Sequence, residues 1–140
     1  MPEQRNPYRG SRAWLRLPFQ TKDGSVHRLD LMADTGSPAG LILRPDLMAL
    51  LAHRMTGPRE SNLGSLDGGW LRLYAPELGL VELVRGYGND NAANIARRSH
   101  PDFVAVVGLP VLRLAEYGGN ADEFWIRTPT APSPPHNPAI

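Results

Sequence analysis

The chain has 140 residues, no cysteine and a formal net charge of +1, which suffices for one compact domain with its own core and no stabilising metal or disulfide. The absence of thiols excludes disulfide scaffolds, thiolate zinc sites and cysteine nucleophiles, leaving oxygen or water to attack. Basic residues are scattered apart from pairs such as Arg97-Arg98, so no nucleic-acid partner is expected; with no apolar leader core in residues 1–7 and no span-length apolar run, no membrane partner is expected and a cytoplasmic location is the default.

In chain order, residues 1–12 read as a polar N-terminal arm, residues 13–127 as the domain, and residues 128–140 as a Pro-rich tail unsuited to helix or ladder. Alternating residues 14–19 and 26–31 flank Thr21-Lys22-Asp23-Gly24-Ser25, a hairpin signal leading into Asp34. Leu41-Ile42-Leu43 is a short buried strand, and Pro45-Asp46 opens a helix with Leu47, Leu50, Leu51 and Met55 at helical spacing. Residues 57–69 are turn-rich, and residues 70–74 and 80–84 are further strands. Residues 86–100 read as a polar loop with a helical turn around 92–98, and residues 103–107 as a strand buried on both faces, ending at Gly108. Residues 110–117 suit a short helix stopped by Gly118-Gly119-Asn120, and residues 123–127 close with a strand.

Asp34 ends an apolar strand and is followed at once by Thr35, Gly36 and Ser37. A carboxylate so placed sits at a tight turn facing a cleft. Gly36 lets the backbone approach and leaves its N–H free for the carboxylate, and Ser37 offers a hydroxyl donor; such donors favour the ionised form. The same residues also compose an Asx turn with no chemistry.

The order of elements around Asp34, together with residues 29–37 and Val106-Val107-Gly108, resembles the retropepsin-like aspartic proteases of cellular or bacterial type, over residues 14–127. The resemblance implies an all-β, closed-barrel fold with one or two short helices and a flap hairpin. It also implies hydrolysis of a peptide or protein substrate, with no cofactor and no metal. In it Asp34 is the catalytic carboxylate, Thr35 hydrogen-bonds across a dimer, Gly36 is a substrate-facing backbone position, Ser37 supports the acid from outside, and Gly108 is the strand-to-helix glycine near the active site. The flap falls between residues 61 and 74, where Gly64, Gly68 and Gly69 give turn freedom and Trp70 lies alongside. One Asp-Thr-Gly supplies half of a carboxylate pair, and Asp23-Gly24 and Asp67-Gly68 lack the pattern, so this activity requires a homodimer.

The chain departs from the viral members, which carry Gly-Arg-Asp or Gly-Arg-Asn where it has Gly108-Leu109-Pro110, and its Pro-rich ends remove ladder donors from any shared terminal sheet. The alternative is a catalytically inactive peptide-binding or dimerisation module on the same fold. An Asp nucleophile for phosphoryl transfer lacks a second acid for Mg²⁺ and a phosphate loop. His27, His53, His100 and His136 have no metal-ligand spacing, and Asn89-Asp90-Asn91 reads as a hydrated turn.

Overall fold

The computed structural model describes residues 2–61 and 64–129; most of the Pro-rich tail expected at 128–140 lies outside them. In chain order the strands are β1 (Glu3–Pro7), β2 (Trp14–Gln20), β3 (Val26–Asp34), β4 (Leu41–Leu43), β5 (Arg54–Ser61), β6 (Gly64–Ala75), β7 (Leu80–Gly88), β8 (Ala105–Gly108), β9 (Glu116–Gly119) and β10 (Glu123–Arg127). The helices are α1 (Pro45–Leu51), α2 (Asp90–Ser99) and α3 (Leu109–Leu112), with a 3-10 turn at Pro76–Leu78. The fold is mostly β.

Six strands pair in the order β2-β3-β8-β4-β7-β6, and β6 returns to β2 through Phe19 opposite Leu73 and Gln20 opposite Arg72, which closes a barrel. Closure leaves only β5 as an outrigger, hydrogen-bonded to β6. The alternating apolar residues fill the interior: Leu15, Leu17 and Phe19 of β2, Leu29 and Leu31 of β3, Leu71 and Leu73 of β6, and Val107 of β8 are buried together. The turn between β2 and β3 is the expected one. Asp23 accepts from the Thr21 hydroxyl and from the Ser25 N–H, and these donors, Thr21 foremost, hold its carboxyl down to about 2.

A second, smaller core lies outside the barrel wall. Trp14, Met32, Ile42 and Val106 point outward from β2, β3, β4 and β8 and are covered by Ala92 and Ala96 of α2 and by Phe103. Where α2 and Phe103 cover them, β3, β4 and β8 are therefore apolar on both faces, as parallel-paired strands covered by a helix must be. The polar segment 86–100, expected as a loop with a helical turn around 92–98, is what provides the cover, through a full helix over 90–99. Residues 86–88 complete β7, and the Asn89 side chain accepts from the Ala92 N–H at 3.0 Å to cap α2.

Three further expectations change. Residues 3–7, read as an arm, form β1, which pairs with β10 in a three-stranded sheet with β9; the Gln4 amide both donates to and accepts from the Arg16 backbone at 2.7 Å, docking β1 on β2. Met55 leaves the expected helix, because α1 stops at Leu51 and the His53 N–H bonds the Trp70 carbonyl at 2.7 Å, starting β5. The expected helix at 110–117 ends at Leu112, and Gly118 and Gly119, expected as its stop, belong to β9. A side chain at Gly118 would meet the Trp125 ring on β10 at 2.7 Å. With α2 a full helix, the helices among the described residues number three rather than one or two.

Asp30 fastens the outside of the first hairpin. It accepts from Arg16 at 2.6 Å and from Arg9 at 2.8 Å, and the Arg9 guanidinium lies 3.5 Å from the Trp14 ring centre. Burial works against the ionised carboxylate, but the Arg16 and Arg9 bonds outweigh it and hold the Asp30 carboxyl below its ordinary value of 3.8. A group that releases its proton more readily when folded stabilises the fold above its unfolded value, and that contribution is lost as pH falls through the lower folded value. Asp30→Asn is expected to cost about 1–3 kcal/mol at neutral pH, read by urea denaturation. The gap to wild type should narrow in acid, below about 3.8; a gap that persists unchanged at low pH would remove the ion pair as its cause.

Candidate active site

Strand alternation decides which way Asp34 faces. Asp30, Met32 and Asp34 share the outer face of β3, while Leu29 and Leu31 face the barrel interior. In the parallel pairing of β3 with β8, Met32 lies opposite Val106 and Asp34 opposite Gly108. Asp34 thus stands at the exposed end of an apolar stripe on the outer wall.

The segment after Asp34 crosses the end of β8. Strand β8 is held between β3 and β4, so the connecting residues must pass over its C-terminal end. There the Gly108 N–H bonds the Gly40 carbonyl at 2.9 Å, and the Leu109 N–H bonds the Ser37 carbonyl at 3.2 Å. A β-carbon on Gly108 would lie 1.9 Å from the Ala39 carbonyl oxygen and 2.9 Å from Ser37. Those are backbone and loop atoms with nowhere to go, so the crossing requires glycine at 108.

Within the loop, the Gly36 N–H donates to Asp34 Oδ1 at 2.9 Å, the bond expected of this turn. Asp34, Thr35 and Gly36 are exposed, and among the described residues no cation lies within ion-pair distance of Asp34. Ser37 differs from expectation. The residue is 8% exposed, and its hydroxyl donates to the Ala39 carbonyl at 3.1 Å and accepts from the Ala39 N–H at 3.3 Å. It shapes the loop rather than reaching the acid.

Asp34 opens onto a cleft of about 460 Å³ whose floor is Met32, Ile42 and Val106. Ile95 of α2, 44% exposed, forms one wall, and Ser61 and Leu66 of the β5–β6 hairpin form another. The cleft continues past Pro38 and Ala39 into a cavity of about 330 Å³, where Arg59 donates to the Tyr87 hydroxyl at 3.4 Å. A more polar depression of about 420 Å³ on the far side of α2 contains no residue of the Asp34 loop.

A hairpin does lie beside the site, but it is formed by β5 with β6 and not within residues 61–74, which after Ser61 are a single strand from Gly64, at φ +97°, onward; residues 62 and 63 lie outside the described residues. Gly68 and Gly69 are not turn residues. They sit in the middle of β6, where a β-carbon on Gly69 would meet Met48 of α1 at 2.5 Å and the Arg54 carbonyl at 2.9 Å. Trp70 also lies within β6, paired with Arg54 and Arg85 and away from the cleft.

Sequence reasoning missed Leu66, Ile95 and Asn89. Asn89 is buried, and its amide also donates to the Ser65 carbonyl at 3.3 Å, tying the hairpin to the start of α2. The Asn-Asp start, the alanines at 92, 93 and 96 and the closing Arg97-Arg98 were a legible helix signal. Among the described residues no three His, Cys, Asp or Glu gather closely enough to hold a metal ion, and no helix is long and apolar enough to cross a membrane.

No protein-family model, curated protein or solved structure matches the chain.

Two glycines of the site separate packing from chemistry. Gly108→Ala is expected to cost about 3 kcal/mol of stability, whereas Gly36→Ala, whose β-carbon meets only Asp34 Oδ1 at 3.3 Å, should change it by less than about 1 kcal/mol. Chemical denaturation of both variants checks this. Equal losses would mean that the crossing at Gly108 is not rigid.

Proposed function

We propose that the chain is an aspartic endopeptidase of the retropepsin-like kind, in which two copies bring their Asp34 side chains together around one water. The observation that carries this reading is the placement of Asp34: exposed, without a counter-ion among the described residues, held by the Gly36 N–H, and at the mouth of an apolar cleft overhung by a two-stranded hairpin. An apolar cleft wide enough for side chains, with a carboxylate at its mouth, suits an extended polypeptide.

Two like charges on one water do not ionise together, so the pair holds one proton between them. The ionised member takes a proton from the water as it attacks the peptide carbonyl. The protonated member donates to the carbonyl oxygen, and the collapse of the tetrahedral intermediate returns a proton to the leaving amine. No bond forms between enzyme and substrate.

The surface around Thr35 and Gly36, exposed in one chain, is the surface two copies share in this reading. Strands β1 and β10 already pair within a single chain, so assembly here does not draw on exchanged terminal strands. The β5–β6 hairpin acts as the flap over the bound peptide, with Leu66 and Ser61 facing the cleft.

Asp34→Asn is expected to lower peptide cleavage by about 10²–10⁴-fold on a diverse peptide library while leaving the fold intact. Mixing variant with wild type supplies the stricter test. If each site needs two Asp34 carboxylates, activity follows the square of the wild-type fraction, about one quarter of the dimers being fully wild type in an equal mixture. A linear dependence, or cleavage by a strict monomer, would exclude the shared pair. Binding of extended peptides with no cleavage by the wild type would instead support the binding-module reading.

A further inference from the structure

The outer face of β5, β6 and β7 holds arginines that have no counter-ion among the described residues. Cross-strand register sets Arg54, Trp70 and Arg85 in one row, Arg72 beside Leu83 in the next and Tyr74 beside Val81 in the third. Alternation turns these side chains away from the interior, which takes Leu71, Leu73 and Val84. Leu83 is 56% exposed and Val81 40%, and a depression of about 260 Å³ lies between His53, Arg54, Trp70 and Leu83.

Several arginines of other strands find carboxylates: Arg5 pairs with Glu3 and Glu123, Arg9 and Arg16 with Asp30, and Arg127 with Glu116. Among the described residues Arg54, Arg72 and Arg85 pair with none. Arg85 lies over the Trp70 ring at 5.4 Å and donates from Nη2 to the Thr56 hydroxyl at 3.0 Å, Arg72 lies over Tyr74 at 5.9 Å, and the Nε atoms of Arg72 and Arg85 are covered without an acceptor among the described residues. The rows described contain no acid, so the face presents positive charge around an apolar centre.

We infer that this face binds an acidic polypeptide segment carrying large apolar side chains, its carboxylates meeting Arg54, Arg72 and Arg85 and an apolar side chain seated against Leu83. Charge complementarity selects the occupant. A second copy of the chain fits poorly, because an isologous contact centred here would set arginines against arginines. Single-stranded nucleic acid needs open aromatic faces for stacking, and Trp70 and Tyr74 are each already capped by a guanidinium. The residues are disjoint from those lining the Asp34 cleft, so the inference stands whether or not the chain cleaves peptides.

Fluorescence anisotropy tests it, with a fluorescein-labelled peptide of Glu-Leu repeats titrated with the full chain carrying Asp34→Asn, which suppresses cleavage of the probe during the titration. Saturable binding is expected at low salt, weakened about tenfold or more by the double change Arg72→Ala with Arg85→Ala and by replacing Glu with Gln in the probe. Leu83→Ser, at an exposed position, should weaken it severalfold with unchanged thermal melting, separating loss of the surface from loss of the fold. Absence of binding, or binding that both variants leave unchanged, would overturn the inference. So would tighter binding of a labelled oligothymidylate than of the peptide. Dissociation of a larger species by the arginine changes, seen by sedimentation, would make the face a contact between copies and would also overturn it.

Discussion

The geometry of the cleft depends on one backbone crossing, where residues 37–40 pass over the end of β8 and Gly108 has no room for a side chain. Because β8 pairs on one side with β3 and on the other with β4, the strand that ends in Asp34 and the strand that follows its loop are fixed in register by the same neighbour. A shift of one residue in the pairing of β3 with β8 would turn Asp34 toward the barrel interior. The two bonds from Gly108 and Leu109 to the loop carbonyls oppose such a shift. The acid is therefore placed by backbone pairing, with its own side chain contributing one local bond.

The barrel wall around β8 works on two sides. Inside, Ala105 and Val107 join the main core; outside, Val106 joins Met32 and Ile42 beneath α2. The cleft floor is the part of that outer face that α2 leaves uncovered, so the apolar character of the floor follows from the same two-sided burial that stabilises the sheet. Ile95 stands where α2 gives way to the cleft. The helix is at once the lid of the second core and a wall of the site.

What the sequence made legible was local. The alternation in β2 and β3, the Asp23-Gly24 turn, Pro45 at a helix start and the strands at 80–84 and 123–127 all reflect short-range preferences, and they appear where expected. The bond from Gly36 to Asp34 was equally readable, since it joins residues two apart. What the sequence hid depends on distant partners. Gly68 and Gly69 look like turn residues until Thr56 is seen against the first and Met48 and Arg54 against the second. Gly118 looks like a helix stop until Trp125 is placed over it. Residues 3–7 look like an arm because their docking uses the side chains of Gln4 and Asn6 on the backbone of β2, a device with no periodic signature.

The carboxylates of the first hairpin differ in what their charge does. Asp23 spends its acceptors on Thr21 and Ser25 and thereby sets the turn. Asp30 is neutralised by Arg9 and Arg16 and fastens the outer wall. Asp34 accepts one bond, from the Gly36 N–H, and an asparagine oxygen would accept that bond equally well. The turn thus needs an oxygen at residue 34 but not a negative charge. A charge that the fold does not use, at the mouth of a cleft built from both sides of a barrel wall, is what makes a chemical role for Asp34 the stronger reading than a structural one.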